Sequence, residues 1–313
     1  MSFRLLDSLK LLIKSNYFLF KAARYPLTLI GYYEKKARSK VDASWKERID
    51  RIVSAPDNAN IKRVESAGKI ERDFQMMHNG LKVHVGSYYG DANTVLIAEN
   101  AGVHEPEEEF AFAQVLTYIS PGAIMVELGA FWGYYSMFFQ QSVKDAKNYM
   151  IEPDRHALLS GINNFKLNGL KGEFHRYFIS DVESNDQDPP TISIDAFVRQ
   201  KSISQINILH SDIQSFELKM LHGAVRSLNK RIIDYIFIST HSNELHDDCK
   251  SFLQEHKYLI LCDATLEESY SWDGLIVARR VEMQGPQSLE IHKRSNNGIT
   301  EVHREDQQIH QNK

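Results

Sequence analysis

Three places in the sequence put acidic residues and glycines where strands of a parallel sheet are expected to end. Glu127, Gly129 and Gly133 lie in VELGAFWG, Glu152 closes the run YMIE, and Asp212 closes INILHSD. Ligands of doubly wound sheets bind beyond the carboxyl ends of the strands. A glycine turn before a helix offers free N–H groups to a carboxylate or phosphate, and an acid 25 positions after the first suits a ribose diol. This pattern predicts a nucleoside site.

The glycine turn favours a ligand without a pyrophosphate. Dinucleotide sites need GxGxxG, because bare backbone must approach the pyrophosphate, whereas Phe131 and Trp132 here stand between Gly129 and Gly133. S-adenosylmethionine carries an ammonium, a carboxylate and a ribose but no phosphate, so Glu127 could attract the ammonium. We therefore favour a methyl donor over a nicotinamide cofactor. The alternative is structural: glycines that permit tight packing and an acid that caps a helix.

The elements that must position these residues alternate between strands and helices. Apolar runs predict strands at residues 81–86, 123–128, 149–152, 172–179, 206–212, 234–240, 258–263 and 273–281. Helical patterns lie at residues 104–119, 133–143, 154–168, 216–228 and 244–256. This alternation predicts right-handed βαβ units in a doubly wound, mostly parallel, Rossmann-like α/β sheet. The last two strands are joined by a short polar loop and are predicted to pair antiparallel.

Three regions are predicted along the chain: a helical and strand extension over residues 1–100, the main domain over 101–283, and a polar, loosely ordered tail over 284–313. The apolar residues of the first region are interrupted by Lys10, Lys14, Lys21 and Arg24, and the longest uncharged stretch is far below the ~20 residues of a membrane span. This segment either packs on the main domain or lies on a membrane surface as a basic amphipathic helix.

Composition excludes several classes of protein. The 313 residues include 37 Lys and Arg against 41 Asp and Glu, a formal charge of −4. A nucleic-acid groove needs a strongly basic face, so we expect no nucleic-acid partner. Cys249 and Cys262 cannot form a disulfide framework, which favours a reducing, cytoplasmic location.

Residues 104–281 resemble the FkbM-type methyltransferases, a branch of the class I fold that uses S-adenosylmethionine. The resemblance rests on five blocks: MVELGAFWGYYSMFF, IEPDRHALLSGINNFKLNGL, ISD, SDIQSFELKMLHGA and DGLIVA. It implies a seven-stranded sheet with an antiparallel last strand, and methyl transfer to a hydroxyl of a sugar, glycan precursor or secondary metabolite. By position it implies a donor loop of Glu127, Gly129 and Gly133, a ribose contact from Glu152, and Asp181 near the adenine.

The sequence departs from this family at three positions. Phe131 stands where a small polar residue is usual, Ser215 where glycine is usual, and Ser239 where an acid is common near the end of the fifth strand. These departures leave an alternative open: a non-catalytic module that binds S-adenosylmethionine. A nicotinamide oxidoreductase is a third hypothesis, but it would need the glycine-rich turn that this sequence lacks.

Methyl transfer requires alignment of the acceptor and removal of its proton. The candidate bases near the ends of the fourth and fifth strands are His210, Asp212, His241 and His246. We expect His241 and Asp212 to act, because a histidine at a strand end has a pKa near the useful range. The segment from His241 to Cys249 is rich in potential metal ligands, but its spacing matches no ligand signature, and no metal is predicted.

Overall fold

A computed structural model describes residues 2–28, 32–295 and 301–302. The N-terminal region contains four helices, α1 (Ser2–Ser15), α2 (Tyr17–Thr28), α3 (Tyr32–Arg38) and α4 (Ala43–Val53), followed by a 3-10 helix at Pro56–Ala59. A small antiparallel sheet of β1 (Ile70–Glu71), β2 (Phe74–Met76) and β3 (Lys82–His84) comes next, then α5 (Asp91–Glu99). The strand predicted at residues 81–86 is thus confirmed as β3.

The remaining elements follow in chain order. They are α6 (Pro106–Leu116), β4 (Ile124–Leu128), α7 (Tyr134–Ser142), β5 (Lys147–Ile151), α8 (Arg155–Leu167), β6 (Glu173–His175), β7 (Phe178–Ile179), β8 (Thr191–Ile192), α9 (Ile194–Lys201), β9 (Ile206–Ser211), α10 (Glu217–His222), α11 (Val225–Asn229), β10 (Ile233–Thr240), α12 (Asn243–Glu255), β11 (Tyr258–Ala264), β12 (Gly274–Arg280), β13 (His292–Lys293) and β14 (Glu301–Val302).

Seven strands form the central sheet in the order β11-β12-β10-β9-β4-β5-β6. Strand β12 is antiparallel to both of its neighbours, and the pairs from β10 through to β6 are parallel. The predicted fold class and the antiparallel pairing of the last two strands are confirmed. The chain runs outward from β4 to β6 and then returns to β9, so strand order reverses between β4 and β9. The crevice at their carboxyl ends is where a ligand is expected.

Alternating residues of β4 point into two buried layers. Met125 belongs to one cluster of buried side chains, whereas Val126 and Leu128 belong to the other. Ile49 of α4 and Met77 after β2 lie in the same cluster as Met125. The N-terminal region therefore shares a core layer with the sheet.

Some elements differ from the sequence-based expectations. The strand predicted over 172–179 is divided between β6 of the central sheet and β7, which pairs with β8. The helix predicted over 216–228 is divided into α10 and α11 at Gly223, where the backbone comes so close to the carbonyl oxygen of Ser180 that a side chain would collide. Residues 92–97, for which no element was predicted, belong to α5. Helix α9 was missed, although Ser193 caps it by accepting a hydrogen bond from the N–H of Ala196.

The start of the predicted loose tail is packed rather than loose, because Leu289 and Ile291 are buried in the core. Residues 296–300 and 303–313 of the tail lie outside the described residues. Cys249 and Cys262 are both buried free thiols. Within the described helices, none is long and apolar enough to cross a membrane.

Candidate functional site

The turn between β4 and α7 brings the two halves of the crevice together. Gly129 has φ +68°, and a side chain there would collide with the carbonyl oxygen of Asp212. The N–H groups of Gly129 and Ala130 donate to the carbonyl of Ile151 at 2.9 and 3.1 Å. Gly133, at φ +71°, stands at the N-terminus of α7. The turn is thereby fixed against both β5 and the segment after β9.

Glu152 closes β5 beside this turn. Its Oε2 accepts a hydrogen bond from the N–H of Phe131 at 3.1 Å, and its Oε1 accepts one from the N–H of Asp154 at 2.8 Å. Burial raises the pKa of Glu152 to about 7, although these two hydrogen bonds oppose the rise. Each oxygen keeps a lone pair that could accept a further donor, such as a ribose hydroxyl.

A cavity of about 560 Å³ opens in front of Glu152. This volume lies within the range of small-molecule sites, about 300–1,000 Å³. Its lining is largely aromatic and aliphatic and includes three acids. The lining residues are Tyr89, Gly129, Phe131, Ile151, Glu152, Pro153, Asp154, Ala157, Tyr177, Phe178, Ile179, Asp212, Ile213, Gln214 and Phe216. Aromatic faces of this kind stack on flat ligands such as purines. The volume of the cavity, the carboxylate of Glu152 and the aromatic side chains of the lining therefore fit a nucleoside.

Glu127 lies in β4, two residues before Gly129. It pairs in register with His210 of β9, and its Oε2 accepts a hydrogen bond from the N–H of Ser136 at 3.1 Å. Burial raises its pKa. Glu127 lines a narrow second cavity, which shares Gly129 and Asp212 with the large one. The predicted role of Glu127 towards an ammonium group stays a prediction.

Asp181 lies away from the cavity. Its side chain is exposed and accepts a hydrogen bond from the Ser180 hydroxyl at 2.8 Å. Ile179, two residues earlier, is the member of this block that lines the cavity. The expectation that Asp181 lies near the adenine stays a prediction.

Asp212 and His241 come together beside the cavity. Nε2 of His241 lies 3.2 Å from Oδ1 of Asp212, and its Nδ1 lies 3.0 Å from Oε1 of Glu217. Burial by itself would lower the pKa of His241, but hydrogen bonds to Asp212 and Glu217 and their charges raise it to about 10. His241 is therefore a cation at neutral pH. This corrects the expectation that its pKa suits a general base.

Asp273 is a further acid at this end of the sheet. It immediately precedes β12, whose first residue pairs with Thr240, and its Oδ1 lies 3.9 Å from Nε2 of His241. Burial, reinforced by the charge of Asp212, raises its pKa to about 7. Sequence reasoning assigned no role to Asp273. One feature of the sequence could have indicated Asp273: it is an acid at the start of the last predicted strand. In the structure that strand pairs with β10, which His241 follows.

Of the two other candidate histidines, His210 lines the narrow cavity and His246 lines neither of the two cavities. Nε2 of His210 lies 2.7 Å from Oε1 of Glu108 in a fully buried pair. His246 contacts the hydroxyl of Thr240 at 2.9 Å. Neither histidine lines the large cavity. Among the described side chains, no group of three or more His, Cys, Asp or Glu is arranged to hold a metal ion.

Helix α6 supplies buried carboxylates from its first turn. Glu108 accepts a hydrogen bond from the hydroxyl of Ser239 at 3.1 Å as well as contacting His210. Ser239 is the position where the resembling family commonly has an acid, so α6 places a carboxylate there from a distant part of the chain. Glu105, just before the helix, accepts a hydrogen bond from the hydroxyl of Tyr135 at 3.0 Å.

A second buried group surrounds Glu109. Its carboxylate contacts Nδ1 of His104 at 2.6 Å and Nε2 of His78 at 3.0 Å, and it accepts a hydrogen bond from the hydroxyl of Tyr134 at 3.0 Å. Burial opposes the charge on His104, but Glu105 and Glu109 raise its pKa to about 10. These contacts connect α6 with α7, the helix that follows the turn between Gly129 and Gly133.

Comparisons with known proteins give one family and a set of distant structures. Residues 160–260 match the family described as the Methyltransferase FkbM domain. No curated protein matches the sequence.

Three solved structures illustrate the similarity. M. capricolum TrmK in complex with S-adenosyl-homocysteine is 18% identical, covers 55% of this chain and 68% of its own, and has a TM-score of 0.37. Precorrin-6y C5,15-methyltransferase from Geobacter metallireducens is 12% identical, with coverages of 54% and 87% and a TM-score of 0.39. Ribosomal protein L11 methylase from Lactobacillus delbrueckii is 10% identical, with coverages of 56% and 79% and a TM-score of 0.39.

At these TM-scores the solved structures say nothing about the acceptor of this chain. The family match covers β9, β10 and the helices around them, which carry Asp212, Glu217 and His241. The resemblance to FkbM-type methyltransferases is confirmed over residues 160–260, and with it the class of enzyme, a methyltransferase that uses S-adenosylmethionine.

Proposed function

We propose that this protein transfers a methyl group from S-adenosylmethionine to a hydroxyl group of a small acceptor: a sugar, a glycan precursor or a secondary metabolite. The observation that carries the proposal is a single cavity with Glu152 at one end and the Asp212–His241 pair beside it. The donor supplies a methyl group already activated by a positive sulfur. The protein then has to bind the donor, orient the acceptor and receive one proton.

The donor half of the proposal assigns one role to each end of the cavity. Each oxygen of Glu152 already accepts one backbone hydrogen bond. With its remaining lone pair, each oxygen accepts a hydrogen bond from a ribose hydroxyl. Phe131 and Ile179 stand beside it and would contact the adenine. Glu127, reached through the narrow cavity past Gly129, would attract the ammonium.

The acceptor half rests on Asp212. Its carboxylate lines both cavities, and the cationic imidazole of His241 holds one of its oxygens. We assign Asp212 as the group that receives the proton of the acceptor hydroxyl, and His241 as the residue that positions Asp212. Asp273 lies close enough to His241 to share this charge environment.

A hydroxyl acceptor fits these carboxylates better than a nucleic acid does. Glu152, Asp154 and Asp212 line the large cavity and Glu105 lines the narrow one, and a phosphate backbone would be repelled by them. Hydroxyl groups instead donate hydrogen bonds to carboxylate oxygens. A cytoplasmic location, consistent with the two free thiols, remains a prediction.

The test has two stages. Calorimetry with S-adenosyl-homocysteine first asks whether the donor site binds its product. Mass spectrometry then follows methyl transfer to a panel of hydroxylated sugars, glycan precursors and small metabolites, with tRNA and rRNA as separate arms. Methylation of RNA alone would replace the small-acceptor proposal. Tight binding without turnover on any arm would favour the non-catalytic alternative, and absence of binding would refute both.

A further inference from the structure

The first 40 residues differ in charge from the rest of the chain. They contain nine Lys and Arg against two Asp and Glu, although the whole chain has a formal charge of −4. This segment forms α1, α2 and α3. A basic segment joined to an acidic body is an arrangement that suits an anionic partner for the segment alone.

Helix α1 is fixed to the main domain through Lys14. Its ammonium donates to the carbonyl oxygen of His156 at 2.6 Å and to the hydroxyl of Ser160 at 2.7 Å, both on α8. The side-chain amide of Asn163 donates back to the carbonyl of Lys14 at 3.0 Å. Because Ala157 of the same helix lines the large cavity, α1 is attached next to the candidate site.

Helix α2 is fixed by its own inner face. The ring of Phe20 meets the ring of His84 edge-on at 4.8 Å. Arg24 donates from Nε to Oδ2 of Asp73 at 3.1 Å and from its terminal nitrogen to the carbonyl of Val85 at 3.0 Å. Both helices are therefore parts of the folded body, with one face already occupied.

The outer faces of both helices are apolar and exposed. Phe18, Ala22 and Tyr25 follow one another at spacings of four and three residues, which places them on one side of α2. Phe18 is 80% exposed and Tyr25 62%. On α1, three leucines are 55–61% exposed, namely Leu6, Leu9 and Leu12. Apolar helix faces exposed to this extent are candidates for docking on an apolar surface.

We propose that α1 and α2 dock this protein on an anionic lipid bilayer, lying in the interface with their outer apolar faces among the acyl chains. Lys10 and Lys21 are exposed on these helices, where lysines can reach lipid headgroups while the apolar side chains insert. A second copy of the chain fits less well, because it would bring two basic segments together. Neither helix can span a membrane, so the contact is interfacial.

The test is co-flotation of the full chain with vesicles of neutral phosphatidylcholine, and with vesicles containing about 30 mol % phosphatidylglycerol. We expect binding to the anionic vesicles, weaker binding at high salt, and little binding to neutral vesicles. F18S/Y25S should weaken vesicle binding at least about tenfold because it removes buried apolar area. K10E/K21E should weaken it comparably by reversing two charges.

Matched controls carry the same chemical changes elsewhere on the surface. Y118S/V182S replaces two exposed apolar side chains, and K144E/K230E reverses two exposed lysines. Both controls should bind like the unaltered chain. Equal binding to neutral and anionic vesicles, or binding unaffected by F18S/Y25S, would refute the proposal. Light scattering that shows a dimer dissociated by F18S/Y25S would assign the face to a second copy instead.

Discussion

Nε2 of His241 lies 3.2 Å from Oδ1 of Asp212, and the other ring nitrogen lies 3.0 Å from Glu217. The imidazole thus stands between two carboxylates from different elements. Their charges outweigh the burial that would otherwise lower its pKa, and raise it to about 10. A histidine in this position holds a carboxylate in place and is not itself free to accept a proton at neutral pH.

The first prediction concerns Asp212. D212N should lower kcat for methyl transfer by about 10²–10⁴, the range expected for loss of a positioned proton acceptor. The dissociation constant for S-adenosyl-homocysteine should change less than about threefold, because Asp212 contacts the acceptor side. Steady-state kinetics and calorimetry measure the two quantities.

D181N is the control for this substitution, because Asp181 is exposed and lies outside the cavity lining. It should leave both quantities unchanged. If D212N kept full kcat while D273N abolished it, the role of proton acceptor would pass to Asp273.

The second prediction follows from the pKa of Glu152, which burial raises to about 7 from an ordinary value of 4.5. The folded state then binds more protons than the unfolded state between these pH values, so the stability of the protein falls as pH rises through this window. Between pH 5 and pH 8 this one group should cost about 2–3 kcal/mol of the free energy of unfolding. The amide of E152Q cannot ionise. The free energy of unfolding of this variant should therefore fall by about 2–3 kcal/mol less between pH 5 and pH 8.

Urea unfolding at pH 5 and pH 8 measures this difference. E152Q should also bind S-adenosyl-homocysteine more weakly at pH 8, since its amide cannot offer two acceptor oxygens to a ribose. E71Q removes an exposed carboxylate and should show neither effect. A parallel pH dependence for E152Q and the unaltered chain would contradict the assignment.

The donor side of the site could be predicted from the sequence because its signals are local. A short apolar run is followed directly by a glycine at the turn, and an acid closes the next strand along the chain, so each signal can be read within its own element. Gly129 and Glu152 therefore stand where the pattern placed them. Asp181 follows a two-residue strand, β7, and is not among the residues that line the cavity, so its place near the adenine stays a prediction.

The acceptor side could not be predicted because its chemistry depends on contacts between distant residues. Ser239 receives its carboxylate from Glu108, 131 residues earlier. The pKa of His241 depends on Glu217, whose position is set by the packing of α10 beneath β10. Acids in the first turn of a helix are favoured by the helix dipole, so the acids that open α6 are expected on an exposed helix too, and no local pattern indicated that they would be buried.

The third prediction concerns Ser215, which stands where the resembling family usually has glycine. Its φ is +75°, a left-handed conformation that costs an L-residue roughly 1 kcal/mol and glycine almost nothing. S215G should therefore raise the free energy of unfolding by ~0.5–1 kcal/mol. The entropy that glycine adds to the unfolded chain offsets part of this gain. Chemical denaturation measures it.

S215A is the companion variant, because alanine keeps the steric penalty. It should not stabilise the protein. Equal stabilisation by S215A and S215G would mean that the serine side chain, and not the backbone conformation, is responsible.

The last prediction separates backbone strain from collision at Gly129. Gly129 and Gly169 share the same φ of +68°, but a side chain at Gly129 would strike the carbonyl oxygen of Asp212, whereas at Gly169 nothing lies within 4 Å. G169A should cost only ~1 kcal/mol, the penalty of the left-handed conformation. G129A should cost at least about 3 kcal/mol, because β4 and β9 must also move apart. Thermal unfolding with and without S-adenosyl-homocysteine compares them: G169A should keep the ligand-induced shift in Tm, and G129A should lose it. Equal costs for the two alanines would show that the crevice tolerates a wider turn than its geometry indicates.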